Sequence, residues 1–282
     1  VDSFRGRVAA ITGAASGIGR ALACELAARG CDLALSDVND TGLAETARRC
    51  GDGVRITTDH VDVADREAVH RWADKVAVEH GKVNLVFNNA GVALAATVEA
   101  MAYEDFEWLM GINFWGVVHG TKAFLPHLKA SGDGHVVNVS SIFGLVSVPT
   151  QGAYNAAKFA VRGYTEALRM ELEIEGAPVS CTTVHPGGVK TDIVRNMRRD
   201  DSAGEGVAEA AREFDTKAMT TPEKAARQIL AAVERDRRRV LVGPDAKVVD
   251  LIARLPSGFY QRLLVRGGRK RQVSEKPVVE RR

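Results

Sequence analysis

Cysteine is scarce. Cys24, Cys31, Cys50 and Cys181 are the four in 282 residues, with no CxxC pair and no metal-like spacing. That excludes a disulfide framework and a zinc site, and it reads as reduced thiols in a cytoplasmic protein. No run of eighteen apolar residues occurs, so no membrane-spanning helix is expected, and the first residues lack the apolar core of a signal peptide. Net charge is also nearly absent: 38 Lys and Arg stand against 36 Asp and Glu, a formal +2. Residues 266–282 hold seven Lys/Arg and two Glu, which leaves −3 on the rest of the chain. A nucleic-acid binder concentrates positive charge on its folded body, so that class is set aside. Internal repeats and metal-ligand clusters are lacking too, and no metal is expected.

What is present is apolar residues, 45% of the chain, enough for a sizeable core. Short β-rich runs alternate with helical patterns. Strands are predicted at residues 7–12, 32–36, 54–58, 83–87, 135–139, 179–184 and 240–242. Between them Ile18, Leu22 and Leu26 recur every four residues up to Gly30, and Ala68, Val69, Trp72, Ala73 and Val76 share a helix face. Thr221 and Pro222 read as the cap and first residue of a late helix. Alternation of this kind predicts a single α/β domain, a doubly wound Rossmann-type parallel sheet of about seven strands with helices on both faces. Residues 1–243 are assigned to it, with 190–220 as a mobile substrate loop carrying short helices. Residues 244–265 form an apolar extension suited to packing on a subunit, covering the site or touching a lipid surface. Residues 266–282 read as a disordered basic tail.

Three stretches carry chemistry. TGAASGIG, Thr12 to Gly19, follows a strand and opens a helix, so its glycines allow close approach to a pyrophosphate at the helix N-terminus. Asp37 ends the second predicted strand, where a carboxylate accepts from both adenosine ribose hydroxyls and repels a 2′-phosphate. Neither Ser16 nor Val38 offers a cation to rescue one. Tyr154 and Lys158 stand four residues apart on one helix face, with Ser141 thirteen residues before the tyrosine. A free phenol has a pKa of about 10. A neighbouring ammonium favours the phenolate, so Lys158 is expected to pull Tyr154 toward the working range.

TGxxxGIG, NNAG at Asn88 to Gly91, Asn113, Ser141 and YxxxK at Tyr154 to Lys158 together resemble the classical short-chain dehydrogenases/reductases, in the right order over residues 5 to about 243. The resemblance implies Tyr154 as general acid/base, Ser141 orienting the substrate oxygen, Lys158 on the nicotinamide ribose and Asn113 holding a relay water by the lysine. It implies a cofactor site of Gly13, Ser16, Gly17, Ile18, Gly19, Asp37, Asp62, Val63, Asn89, Ala90, Gly91, Tyr154, Lys158, Pro186, Gly187, Val189 and Thr191. For the cofactor it implies NAD, agreeing with the charge argument at Asp37. The alternative readings give Asn113 only a backbone group to bond and Asn88 only a turn to shape.

The expected activity is hydride transfer between NAD and a secondary alcohol or ketone. Ile142, Phe143, Leu145, Val146 and Val148 around Ser141 favour an apolar substrate of steroid, terpenoid or fatty-chain type. Phe143 and His185 join Ser141 and Tyr154 as substrate candidates, His185 with a structural role as its other reading. Two alternatives stay open: a non-catalytic nicotinamide-binding regulator or scaffold, and an NADP-dependent carbonyl reductase. The segment VGPDAKVVDLIARLPSGFYQRLL departs from the family's usual interface-forming end, so a dimer, a tetramer and a peripheral membrane contact are all carried forward as partners of the chain.

Overall fold

The computed structural model describes residues 4–193, 195–199, 218–256 and 258–275. The apolar run after Arg7 becomes β1 (Val8–Thr12), buried at every position. It is joined by α1 (Gly17–Ala28) to β2 (Asp32–Asp37), and by α2 (Asp40–Cys50) to β3 (Ile56–His60). α3 (Arg66–His80) then leads to β4 (Leu85–Asn88), which pairs with the other side of β1. A two-residue β5 (Leu94–Ala95), α4 (Tyr103–Met110), a π-helical turn at Gly111–Trp115 and α5 (Gly116–Ala130) follow. Next come β6 (Gly134–Val139), a 3-10 turn at Ile142–Gly144, α6 (Gly152–Glu175) and β7 (Val179–Pro186). β8 (Arg198–Arg199), α7 (Pro222–Glu234), β9 (Arg239–Val242), α8 (Pro244–Ala253) and α9 (Phe259–Glu275) complete the described chain.

Seven strands form one parallel sheet in the order β3-β2-β1-β4-β6-β7-β9. Side chains alternate across it, as the period-2 geometry of a strand requires. Ile11, Leu33, Leu35 and Phe87 face a core built with Leu22 and Leu26 of α1 and Ile229 and Leu230 of α7. Val8, Ala10, Ala34, Val86 and Val136 face the opposite core, with Trp72 of α3 and Phe124 of α5. Those two rings meet edge to face, centroids 5.0 Å apart. The doubly wound α/β fold expected from the sequence is the fold observed.

Caps follow the sequence signals. Asp65 accepts from Ala68 N and Thr221 from Lys224 N, closing the first turns of α3 and α7. Several boundaries differ from expectation: β4 starts at Leu85 rather than residue 83, and β7 runs on to Pro186. β3 starts at Ile56 rather than Val54, because Arg55 N is already bonded to Asp32 Oδ1 (2.9 Å) and ladder pairing begins one residue later. Within 190–220 the described residues form no helix; Arg198–Arg199 pairs instead with β5, while residues 194 and 200–217 lie outside the described residues. The tail is helical through Glu275 rather than disordered from residue 266, since its Arg, Lys and Gln residues are good helix formers; residues 276–282 lie outside the described residues.

Candidate active site

The strand order reverses between β1 and β4, and the loops leaving their carboxyl ends meet there. Gly13 lies at φ +65°, and a Cβ on it would stand 2.8 Å from Ala90 Cα. A Cβ on Gly19 would stand 2.1 Å from the Gly13 carbonyl oxygen. Asn89 Nδ2 donates to the carbonyls of Thr12 (3.0 Å) and Gly13 (3.2 Å). Thr12 Oγ1 accepts from Asn89 N (3.0 Å) and Ala90 N (3.1 Å) and donates to Phe87 O (3.3 Å). Thr12, absent from the predicted site, is thus the pin between the two loops. Ser16 gives α1 no side-chain cap, and no acid stands in its first turn. Nothing in that turn answers the partial positive charge of the helix end, which therefore fits a pyrophosphate. From the loop after β7, the Thr191 methyl lies 3.0 Å from where a Gly17 Cβ would stand.

Asp37 is the last residue of β2. Its carboxylate accepts from Ala15 N (3.0 Å) and Asn39 N (3.1 Å), fixing its direction beside the glycine loop. The Arg20 guanidinium is bonded to Thr46 Oγ1 (2.9 Å) and to the Ala15 and Gly42 carbonyls. Asp62 is exposed, while its neighbour Val63 is buried against Gly116 of α5. Ile18, Asn89, Ala90 and Gly91 are half-buried around the same loops.

The other half of the site is built from β6, α6 and the π-turn. Ser140 Oγ donates to Lys158 O (2.7 Å), which ties that hydroxyl into the fold. Ser141 Oγ accepts from Phe143 N (3.1 Å), and its hydroxyl is near enough to the Tyr154 phenol to favour the ionised form. Lys158, 3% exposed, donates from Nζ to Val139 O (2.9 Å) and lies 5.7 Å from the Tyr154 ring centre. Asn113 is fully buried in the π-turn, donating to Val92 O and accepting from Val92 N at 2.8 Å each. A Cβ on Gly91 would meet Asn113 Oδ1 at 3.3 Å and Lys158 Nζ at 3.6 Å, so these three residues converge.

Two expectations change here. Burial pushes the Tyr154 phenol up, outweighing the Ser141 hydrogen bond that lowers it, so the chain's own groups do not bring it toward neutrality. Burial also brings the Lys158 ammonium down to about 8. His185 is the second. It is fully buried, and its ring donates from Nδ1 to Ser141 O (2.8 Å), since a carbonyl only accepts. Burial holds its pKa near 4, so the ring is neutral and braces the serine from behind rather than meeting a substrate.

At the end of β7, Pro186 is buried, Gly187 N donates to Val242 O (2.9 Å) and Val189 bridges to Thr220. Gly188 N donates to Asp245 Oδ2 at 2.5 Å, so the first turn of α8 holds this loop. Sequence reasoning missed Asp245, because nothing local marks an acidic N-terminal helix residue as a loop clamp. Around the serine, Ile142, Leu145 and Val146 are buried, while Phe143 and Val148 stay partly exposed. Phe143 meets the Tyr154 ring edge to face at 6.1 Å. Tyr260 Oη of α9 accepts from Ser147 N (3.3 Å), bringing the C-terminal extension against this segment.

The model of the short chain dehydrogenase family matches residues 7–202. "Putative oxidoreductase SadH" of Mycobacterium tuberculosis is 51% identical over 269 residues, 95% of this chain and 97% of that protein. Estradiol 17-beta-dehydrogenase 11 of Macaca fascicularis is 40% identical over 202 residues, 69% of this chain and 65% of that one. Among solved structures, a short chain dehydrogenase/reductase of Burkholderia phymatum in complex with NAD superposes with a TM-score of 0.83 at 29% identity, covering 99% of both chains. A short chain dehydrogenase of Mycobacterium paratuberculosis bound to NAD gives 0.72 at 26% identity, over 84% of this chain and 96% of that one. With its doubly wound sheet and with Ser141, Tyr154 and Lys158 gathered beside the glycine loop, this chain belongs to the short-chain dehydrogenase family of oxidoreductases, whose cofactor is a nicotinamide dinucleotide.

Proposed function

We propose that the chain oxidises an apolar secondary alcohol, or reduces the matching ketone, with NAD as cofactor and Tyr154 as general acid/base. The observation that carries this reading is the convergence of Lys158 Nζ and Asn113 Oδ1 on Gly91, with the Tyr154 ring centre 5.7 Å from that ammonium. When bound, the nicotinamide supplies hydride exchange and, in its oxidised form, a fixed positive charge. The protein supplies the rest. Ser141 Oγ holds the substrate oxygen, and Tyr154 Oη takes its proton in oxidation and returns one in reduction. Lys158 Nζ stays mostly charged at neutral pH with its pKa near 8, suited to hold the nicotinamide ribose. Asn113 and Lys158 flank Gly91 and are suited to hold a relay water between them.

Preference for NAD rests on Asp37. Its carboxylate faces the ribose end of the glycine loop, with Arg20 committed to backbone and Thr46 partners. A 2′-phosphate would meet this charge without a cation to balance it. Phe143 and Val148, the partly exposed apolar residues by Ser141, favour a steroid, terpenoid or fatty-chain substrate. The relative named as an estradiol dehydrogenase supports the same class. Residues 1–243 serve as the catalytic unit and 244–265 as a cover over the serine segment. The working form we expect is a cytoplasmic dimer or tetramer.

Fluorescence titration with NADH and NADPH, followed by turnover of a panel of secondary alcohols, tests the reading. Tighter NADH binding and loss of turnover by about 10²–10⁴-fold in Tyr154→Phe, with NADH affinity kept, is the expected result. Tighter NADPH binding overturns the role of Asp37. Full turnover in Tyr154→Phe removes the tyrosine from the chemistry, and binding without turnover on any alcohol points to a regulator or scaffold.

A further inference from the structure

Outside the site, two of the four cysteines are neighbours. Cys24 lies in the middle of α1 and Cys50 is the last residue of α2, 26 positions later, with Cys50 Sγ donating to Cys24 Sγ across 3.7 Å. Both are partly exposed, whereas Cys31 and Cys181 are fully buried. Cys24 also lines a surface cleft of about 660 Å³ together with Arg20, Glu25, Arg49 and Lys190. The cleft reaches Gly17 and Thr191 of the expected cofactor site, but none of Ser141, Tyr154 and Lys158 lines it, so a small oxidant meets the thiol without passing those three residues.

We infer that Cys24 and Cys50 form a peroxide-reactive dithiol that closes into a disulfide tying α1 to α2. A disulfide needs the sulfurs at about 2.05 Å, so they must close by well over an ångström. The move falls on the last residue of α2, where the helix ends. Gly51 follows it at φ +73° as the helix cap, and a Cβ on either Gly51 or Gly53 would meet no atom within 4 Å. The charges around Cys24 favour its thiolate. The Cys50 hydrogen bond is the largest effect, Arg49 of α2 and Arg20 of α1 add to it, and burial and Glu223 of α7 oppose it, leaving Cys24 near 7. Cys50, as the donor, is pushed up.

The chemistry closes with a hydroperoxide as oxidant. The Cys24 thiolate attacks the peroxide oxygen, the O–O bond breaks, and hydroxide leaves as Cys24 becomes a sulfenic acid. Cys50 sulfur then attacks Cys24 sulfur and loses its proton. The S–O bond breaks and the departing oxygen leaves as water. Two thiols lose two electrons in all, and one hydrogen peroxide becomes two waters. The bridge would join the helices that begin at the pyrophosphate loop and just beyond Asp37.

The test is hydrogen peroxide treatment of the full chain, followed by alkylation and peptide mapping under non-reducing conditions. A Cys24–Cys50 linked peptide, an intact mass lower by two hydrogens and full reversal by dithiothreitol are expected. In Cys50→Ser the reaction should stop at a dimedone-trappable sulfenic acid on Cys24, and in Cys24→Ser no such adduct should form at Cys50. Iodoacetamide should label Cys24 with a midpoint near pH 7 and about tenfold faster at neutrality than an ordinary thiol. NADH binding by both serine variants serves as the check on folding. Bridges only between chains, over-oxidation of Cys24 without a linked peptide, or equal labelling of buried Cys181 would each overturn the proposal.

Discussion

Asn113 uses both ends of its amide on one residue, Val92, and does so with no solvent contact. Replacing it with alanine strands a backbone N–H and a C=O, at about 1–3 kcal/mol for each group left unsatisfied. Urea unfolding of Asn113→Ala should show a loss in that range. A midpoint equal to the parent's would mean that water takes over the amide's bonds. Asp37 poses the opposite case, a charge held by two backbone N–H groups and offered, in the proposed function, to the adenosine ribose. Asp37→Ser should weaken NADH by about tenfold, the loss of roughly 1.4 kcal/mol, and narrow the gap to NADPH. Titrations of both nucleotides against parent and variant will read this directly.

At the scale of elements, the glycine loop is rigid because backbone meets backbone. A methyl on Gly19 would stand 2.1 Å from Gly13 O and 2.7 Å from Asn89 Nδ2, and the carbonyl cannot swing away without giving up its bond from Asn89 Nδ2. Gly19→Ala should therefore lower the melting temperature and weaken NADH by more than about tenfold. Gly163, in the middle of α6, meets nothing within 4 Å and is not at positive φ. Gly163→Ala should raise stability by up to about 1 kcal/mol with NADH affinity unchanged. Calorimetry of the two variants side by side separates space from propensity. The glycine pattern was readable in the sequence because a strand–loop–helix order leaves few other uses for it. The alternation of apolar runs made the sheet readable for the same local reason. Thr12, Asp245 and Tyr260 were not, since each acts on a residue 75 or more, 57 and 113 positions away, and no neighbour in sequence marks the partner. The expected pull of Lys158 on the Tyr154 phenol failed for a related reason. Spacing along a helix gives proximity, whereas burial, which dominates here, depends on the whole fold.

For the molecule as a whole, two imidazoles are stored neutral in the sheet. His135 donates from Nε2 to Thr182 Oγ1 (2.8 Å), whose own hydrogen goes to Arg237 O (2.6 Å), and His185 braces Ser141. Burial brings each to about 4, below the ordinary histidine value of about 6.5. Between those values the unfolded chain binds protons that the folded chain refuses, so stability falls as pH drops from about 6.5 toward 4. Each histidine contributes at most roughly 3 kcal/mol to that fall, at 1.36 kcal/mol per pKa unit. Denaturant midpoints measured from pH 7.5 to 4.5 should decline, and His135→Gln should decline less. A flat profile would show that the buried rings protonate within the fold.

The bond from Gly188 N to Asp245 sets an order of events during synthesis. The glycine loop, Asp37 and the NNAG turn all leave the ribosome more than 150 residues before Asp245 does. The nucleotide-facing half of the molecule can take shape while the chain is still growing, whereas the loop after β7 waits for the start of α8 before its last clamp closes. On the proposed reading, a nascent chain would meet one end of its cofactor well before it could hold both.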